Sequence, residues 1–488
     1  MDLRQTLAFG IGIALAGIVP AAAQNSPNAT ATPPVPRGAM SAAGAPRTLA
    51  EALAATYANQ PALQAVRATL RATDENVPAA LAGWRPTVVV AGSAGYGNGL
   101  SRSYNALLQG WEKLPTERDI GTAQATLTQP IYNGGRTQAN VNKAKDQVMA
   151  ERANLLAQEQ TSFTNTVSAY VGVIENQDLL ALNINNEQVL AKQLEATNDR
   201  FRVGEITRTD VAQAEAALAG AKAQRETAEG NLATARATYL QVIGYEAPPN
   251  LVEPQPLDLR LRTEQDAAAM ASANNPNVVA AEFNDSAAKD AVDVAFSQLL
   301  PQLSLQAQTF EEQNAGARSA ELNGYQVVLQ ASVPLYQGGA EYAAVRQAKQ
   351  SEQNTARLVA DAKRTAVQQA VNAWETLVAA TAAAASTRSQ IRANGVALEG
   401  TEREAIVGSR TTLDVLNAQQ ALLNSRVTLV QNLAQLITAS YGVASAIGRL
   451  TARDLHLPVP LYDDTAYYEA VKNKWYGLGD YATDQPGR

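Results

Sequence analysis

Residues 201–244 and 405–448 are two copies of one pattern, and such a duplication commits the chain to two like halves. Val203-Gly204, Thr209-Asp210-Val211 and Val242-Ile243-Gly244 recur as Val407-Gly408, Leu413-Asp414-Val415 and Ala446-Ile447-Gly448, at a constant offset of 204 residues. At the same offset Pro130-Ile131-Tyr132-Asn133-Gly134-Gly135 recurs as Pro334-Leu335-Tyr336-Gln337-Gly338-Gly339, and Tyr170 falls on Trp374. Further upstream the offset becomes 215: Asn59-Gln60-Pro61 matches Asn274-Asn275-Pro276, and Arg85-Pro86 matches Leu300-Pro301. The first half is therefore eleven residues longer between Pro86 and Pro130, a length change that belongs in a surface loop.

Each half reads as helix, strand, loop, strand, long helix, turn, long helix. Residues 47–81 are helical by periodicity, with a break at Pro61. Four strands are expected, two per half, in the segments 87–131 and 302–335. Over 121–129, Ala123, Ala125 and Leu127 share one face, and Thr122, Gln124, Thr126 and Thr128 the other. Leu303, Leu305 and Ala307 oppose Ser304, Gln306 and Gln308, and Tyr325, Val327 and Leu329 oppose Gln326, Val328 and Gln330. Strict period two puts one face in an apolar medium and the other in water. Residues 87–96 give the weakest strand signal, because both faces are apolar or small. Tyr96, Tyr132, Phe310, Tyr325 and Tyr336 stand at or near strand ends, where an interfacial aromatic girdle would lie. A soluble antiparallel sheet with one wet face fits the strand pattern equally well.

The helices separate the two. Residues 136–200 contain no proline and one glycine, Gly172, and would reach roughly 95 Å at 1.5 Å per residue. Hairpins over 136–244 and 340–448 are too long for a compact domain and must extend as antiparallel coiled-coil-like arms. Four strands cannot close a barrel, and open edges cannot sit in lipid, so subunits must pool strands. Two copies give a filled eight-strand barrel. Three give twelve strands and a lumen, which the Gln, Thr and Ser faces favour.

Composition narrows the function. The chain has no cysteine and one histidine, His456, so disulfides, a lipid on an N-terminal cysteine, and zinc or Ser-His chemistry lack their residues. A net charge of −7 argues against nucleic acid as a partner. Arg4, the apolar run 7–19 and Ala21-Ala22-Ala23 read as a signal peptide over 1–23, followed by a Pro- and Ala-rich linker over 24–46.

The duplicated Val-Gly-(x)5-Asp-Val blocks, the duplicated Pro-(Ile/Leu)-Tyr-(Asn/Gln)-Gly-Gly junctions and the opening Thr48-Leu49-Ala50-Glu51-Ala52-Leu53 resemble the TolC family of outer-membrane efflux and secretion channels. The resemblance spans residues 49–455. It implies an α+β membrane protein: a homotrimer with a twelve-stranded barrel, four strands per protomer, set on a long α-helical tunnel across the periplasm. It further implies a passive exit duct and not an enzyme. No cofactor is implied. A periplasmic adaptor and an inner-membrane transporter, ABC or proton-driven, would be its partners besides outer-membrane lipid. The competing reading is a non-conducting periplasmic tether or adaptor, but adaptors lack two hairpin copies and amphipathic strand pairs.

By the same resemblance, Asp210 and Arg410 match the polar residues whose links hold the periplasmic entrance shut, with opening by an iris-like movement of the helices. Asp414 matches an acidic ring at the narrowest point, a cation-selective device. It is equally a helix N-terminal residue stabilised by the dipole. Val203, Gly204, Val407 and Gly408 match the tips that touch the adaptor. Two departures stand out: Asn417 replaces a second ring aspartate, and Ala405 replaces a gate tyrosine. The aromatic tail 451–488 (Tyr462, Tyr467, Tyr468, Trp475, Tyr476, Tyr481) lies outside both repeats and is similar to tails of type I secretion members, where it would wrap the waist of the tunnel.

Overall fold

The structure is a computed structural model and describes residues 44–479 except 260 and 317. The proposed signal peptide, most of the linker and Tyr481 lie outside the described residues. Three short helices open the fold: α1 (Leu49–Asn59), α2 (Pro61–Asp74) and α3 (Asn76–Leu81). Thr48 and Glu51 form a reciprocal capping box on α1, and Pro61 starts α2 as its first residue, so the expected break falls at Gln60. Strands β1 (Thr87–Gly97), β2 (Leu100–Asn105), β3 (Gly110–Pro115) and β4 (Arg118–Asn133) follow, then helices α4 (Arg136–Arg202) and α5 (Arg208–Ile243). The second half runs α6 (Glu264–Asn274), α7 (Pro276–Phe296), β5 (Gln302–Gln313), β6 (Glu321–Ser332), α8 (Ala340–Ile406) and α9 (Thr412–Ala446), with a short α10 (Ala466–Val471) in the tail.

The expectation of two strands per half is corrected for the first half, which has four. The extra length goes into an added hairpin, β2–β3, over residues 100–115. The other four strands make one antiparallel sheet in the order β1-β4-β5-β6, so the two halves meet at β4 and β5. Its register aligns Val88, Leu127, Ala307 and Val327 on one face, and Thr126, Gln308 and Gln326 on the other. The apolar face is bare in the protomer, with Val90 69%, Val327 63% and Leu329 60% exposed.

Register also sorts the expected aromatic girdle. Tyr96 and Tyr325 lie on the apolar face. A bulge between Pro130 and Tyr132 inserts Ile131 and turns Tyr132 from the polar parity to the apolar face, opposite Leu303. Phe310 falls on the polar face instead, paired with Gln124 and Gly324. A Cβ on Gly324 would stand 3.1 Å from Phe310 Cζ, so the ring covers a glycine and does not face outward. Tyr336 lies beyond β6 and is 78% exposed.

Helices α4 and α8 each run 67 residues, about 100 Å. Each starts after a glycine at positive φ, Gly135 (81°) and Gly339 (86°), where the chain leaves the sheet. α4 pairs with α5, and α8 with α9, as antiparallel hairpins, and α7 packs on both α4 and α8. The main core gathers at mid-height around Tyr170, Tyr239, Phe163, Leu63 and Leu70, all fully buried. Tyr170 Oη lies 2.6 Å from the Arg47 carbonyl and 2.8 Å from that of Val252, tying the short helices and the inter-repeat segment to α4.

The tail packs against this same level. The Arg67 guanidinium lies between Tyr57 and Tyr462, 4.6 and 5.0 Å from the ring centres. Arg85 covers Trp475 and donates to the Lys474 carbonyl, while Arg152 covers Tyr468 and approaches Asp464 at 3.7 Å. Asp74 is buried beside this contact with neither carboxylate oxygen hydrogen-bonded. Burial pushes its pKa up to about 7, against the attraction of Arg152; Asp464 and Glu75 push the same way as burial, and Arg71 opposes them. The folded chain therefore holds a proton that the unfolded chain releases near pH 4, so stability falls as pH rises from about 4 to about 7. Asp74→Asn is expected to flatten that slope and to raise the unfolding temperature at pH 8, read by circular dichroism at pH 5 and pH 8. Equal slopes in variant and wild type would contradict it.

Candidate functional site: the paired helix tips

The tips form where each long helix turns into its partner. After α4 and α8 the chain enters a left-handed glycine, Gly204 (φ 78°) and Gly408 (φ 81°). Glu205 N–H donates back to the Arg200 carbonyl, and Ser409 N–H to that of Glu404, both at 3.0 Å, the six-to-one closure of a Schellman turn. The preceding valines, Val203 and Val407, are each 78% exposed, and Ile406 is 79% exposed, so both turns present apolar side chains to solvent. An Arg–Glu pair crosses each turn with its polarity reversed: Arg200 to Glu205 at 3.1 Å, and Arg410 to Glu404 at 2.9 Å.

The return helices start with capping boxes. Asp414 Oδ2 accepts from Thr411 N at 2.9 Å and Oγ1 at 2.8 Å, and Thr411 Oγ1 accepts from Asp414 N at 3.2 Å. Asp210 and Thr207 repeat the arrangement. The Thr411 backbone N–H, its hydroxyl and the nearby Arg410 hold the Asp414 carboxyl below the usual carboxylate range. Thr207, first through its hydroxyl, does the same for Asp210. Both groups stay ionised in mildly acidic solution, and both are only part-buried.

Leu190, Ala221 and Leu416 make a small core just above the tips, which sets the two hairpins side by side. Within the protomer, Arg410 is paired with Glu404, and Asp210 with its own cap; no ion pair joins Asp210 to Arg410. Glu404, Thr207 and Thr411 escaped the sequence reading. The two threonines had a signal, Thr-x-x-Asp at the start of each return helix. Among the described residues no His/Asp/Glu cluster could hold a metal ion, and no helix is long and apolar enough to cross a membrane.

The repeated hairpins and the split sheet match a family model in two blocks, residues 52–245 and 267–449, described as outer membrane efflux protein. The chain belongs to that family. It is 36% identical over 434 residues to the outer membrane efflux protein BepC of Brucella suis, covering 88% of this chain and 92% of that one. It is 26% identical over 427 residues to the outer membrane protein TolC of Vibrio cholerae, covering 86% and 94%. The solved structure of VceC from Vibrio cholerae superimposes with a TM-score of 0.70 at 20% identity, covering 82% and 96%, a likeness of fold. The chain is thus an efflux or secretion channel of the outer membrane, and its family is one of ducts rather than enzymes.

Proposed function

We propose that three copies close one barrel and one tunnel, forming a passive exit duct for tripartite efflux or type I protein secretion. The observation that carries this is the sheet itself. β1 and β6 are its outer strands, with no partner on their far sides in the protomer. An even number of alternating strands makes β1 and β6 antiparallel, so the β6 edge of one copy can pair with the β1 edge of the next without a break in pattern. Unpaired edges have no place in hydrocarbon. Twelve strands would leave the Gln- and Thr-lined face around a water-filled lumen and turn Val88, Val90, Val327 and Leu329 to lipid. Tyr96, Tyr132, Tyr325 and Tyr336 form the girdle in this arrangement.

At the other end the exposed apolar tips, Val203-Gly204 and Val407-Gly408, dock a periplasmic adaptor, which couples the duct to an inner-membrane transporter. Arg410 of one copy holds Asp210 of its neighbour in the resting state, Asp414 supplies a three-fold ring of charge, and an iris-like movement of the tip helices opens the passage. The native chain lacks cysteine, so introduced pairs report without background. Val90→Cys combined in turn with Val327→Cys or Leu329→Cys is expected to oxidise, in outer-membrane vesicles, into a covalent ladder ending at trimer. A ladder ending at dimer, or no pairing of the β1 and β6 edges, would contradict the arrangement.

A further inference from the structure

The β2–β3 hairpin, a two-stranded sheet of its own, continues the register of the β1–β4 pair. Every pair from Thr87↔Thr128 to Gly97↔Arg118 and from Leu100↔Pro115 to Asn105↔Gly110 keeps one register, and Thr116 N–H bridges the gap to the Gly99 carbonyl at 2.8 Å. With no slip, the two-residue alternation carries through. The face that bears Val88, Val90 and Tyr96 below therefore bears Leu100, Arg102 and Tyr104 above, opposite Lys113 and Trp111. The other face bears Ser101, Ser103, Asn105 and Glu112, and there Glu112 accepts from Asn105.

Three features of the upper face point to an anionic partner. Arg102 lies directly across from Lys113, a like-charge pair that weakens an isolated ribbon. Among the described residues neither cation is ion-paired; Glu112 stands on the opposite face, and Glu117, on the same face, accepts from Tyr96 Oη at 2.6 Å. Tyr104 and Trp111 are 55% and 63% exposed, with ring centres 5.7 Å apart and the Arg102 guanidinium 5.5 Å from the Trp111 ring. Tyrosine and tryptophan beside basic residues are the composition of a membrane interface. A two-stranded ribbon alone is marginal, and here Leu107 and Leu108 at its turn are 95% and 72% exposed.

Height identifies the class of headgroup. Arg102 follows Tyr96 by six residues, about 20 Å of strand, or roughly 15 Å above the girdle at the usual barrel tilt. A simple phospholipid places its phosphate close to the girdle. We propose that Arg102 and Lys113 clamp the phosphate of an outer-leaflet phosphorylated glycolipid, whose charged groups stand well outside the acyl chains, with Tyr104 and Trp111 against its sugars. This rests on the barrel reading above, which fixes the apolar face as the lipid face.

The test uses the full assembly in detergent, titrated with lipopolysaccharide, with the same lipid after enzymatic removal of its phosphates, and with phosphatidylglycerol, scored by native mass spectrometry. Arg102→Gln/Lys113→Gln is expected to bind lipopolysaccharide about tenfold more weakly than wild type, a typical cost of charge-assisted contacts. Ser101→Gln/Ser103→Gln, on the other face, should bind as wild type, and the dephosphorylated lipid should bind both alike and weakly. Equal binding by the double cation variant would overturn the proposal, as would phosphatidylglycerol binding as tightly as lipopolysaccharide. Lower assembly stability of that variant in lipid-free detergent would place the hairpin against a neighbouring copy instead. Conductance of the same samples in planar bilayers separates failure of the clamp from failure of the channel reading.

Discussion

Gly448→Ala is expected to destabilise the protein by on the order of 3–5 kcal/mol, while Gly244→Ala, at the same position of the other repeat, costs about 1–2 kcal/mol. Both glycines adopt positive φ, 80° and 86°, so each substitution carries the left-handed strain. The surroundings differ. A Cβ on Gly448 would stand 2.4 Å from the Asn274 carbonyl oxygen and 2.9 Å from its carbon, whereas one on Gly244 meets nothing within 4 Å. The Asn274 backbone cannot yield cheaply, because the next residue, Asn275, is buried, caps α7 and donates to the Ala446 carbonyl at 3.1 Å. The α6–α7 corner is thereby locked onto the end of α9, and a methyl group at 448 would pry it away. Thermal loss of helical circular dichroism, compared between the two variants, checks this. Equal losses would show that the close approach at Gly448 contributes nothing.

Much of this architecture was legible in the sequence because duplication repeats every signal. The Gly-Gly pairs, the proline-free helices and the glycines of the hairpin turns each occur twice at one offset; in the structure the pairs directly precede α4 and α8, and the single glycines Gly204 and Gly408 follow them. What was not legible depends on contacts that period and spacing do not carry. The β2–β3 hairpin hid because its turn, Ala106-Leu107-Leu108-Gln109, reads as an apolar run; only Gln109, at φ 51°, takes the left-handed conformation. The faces of Tyr132 and Phe310 turn on a single bulged residue and on strand parity, and proximity to a strand end reports neither. The repeat also suggests equal tips. Yet Arg200–Glu205 and Glu404–Arg410 reverse their charges across the turn, which puts the cation of the second tip after the turn, at Arg410, beside the start of α9.

That cation sets the second large effect. Arg410 is exposed and bonded to Glu404 of its own chain, a surface pair that water screens and that yields readily. In the proposed resting state it must leave Glu404, or share it, to reach the neighbour's Asp210. The two variants should therefore act in opposite directions. Arg410→Ser removes the link from all three interfaces and is expected to raise single-channel conductance several-fold. Glu404→Ala frees Arg410 for Asp210 and is expected to lower it. Two changes in the same direction would remove the link from the account. Asp414 keeps its charge into mildly acidic solution, held by Thr411, so cation preference should persist at pH 5.

The measurement that bears most directly on a conducting trimer is the reversal potential of the wild-type protein in a planar bilayer under a salt gradient, beside Asp414→Ala. Wild type should show discrete conductance steps with a cation-selective reversal potential, and the variant a reversal potential moved toward zero. Membrane-inserted, folded protein that passes no current, even as Arg410→Ser, would contradict it.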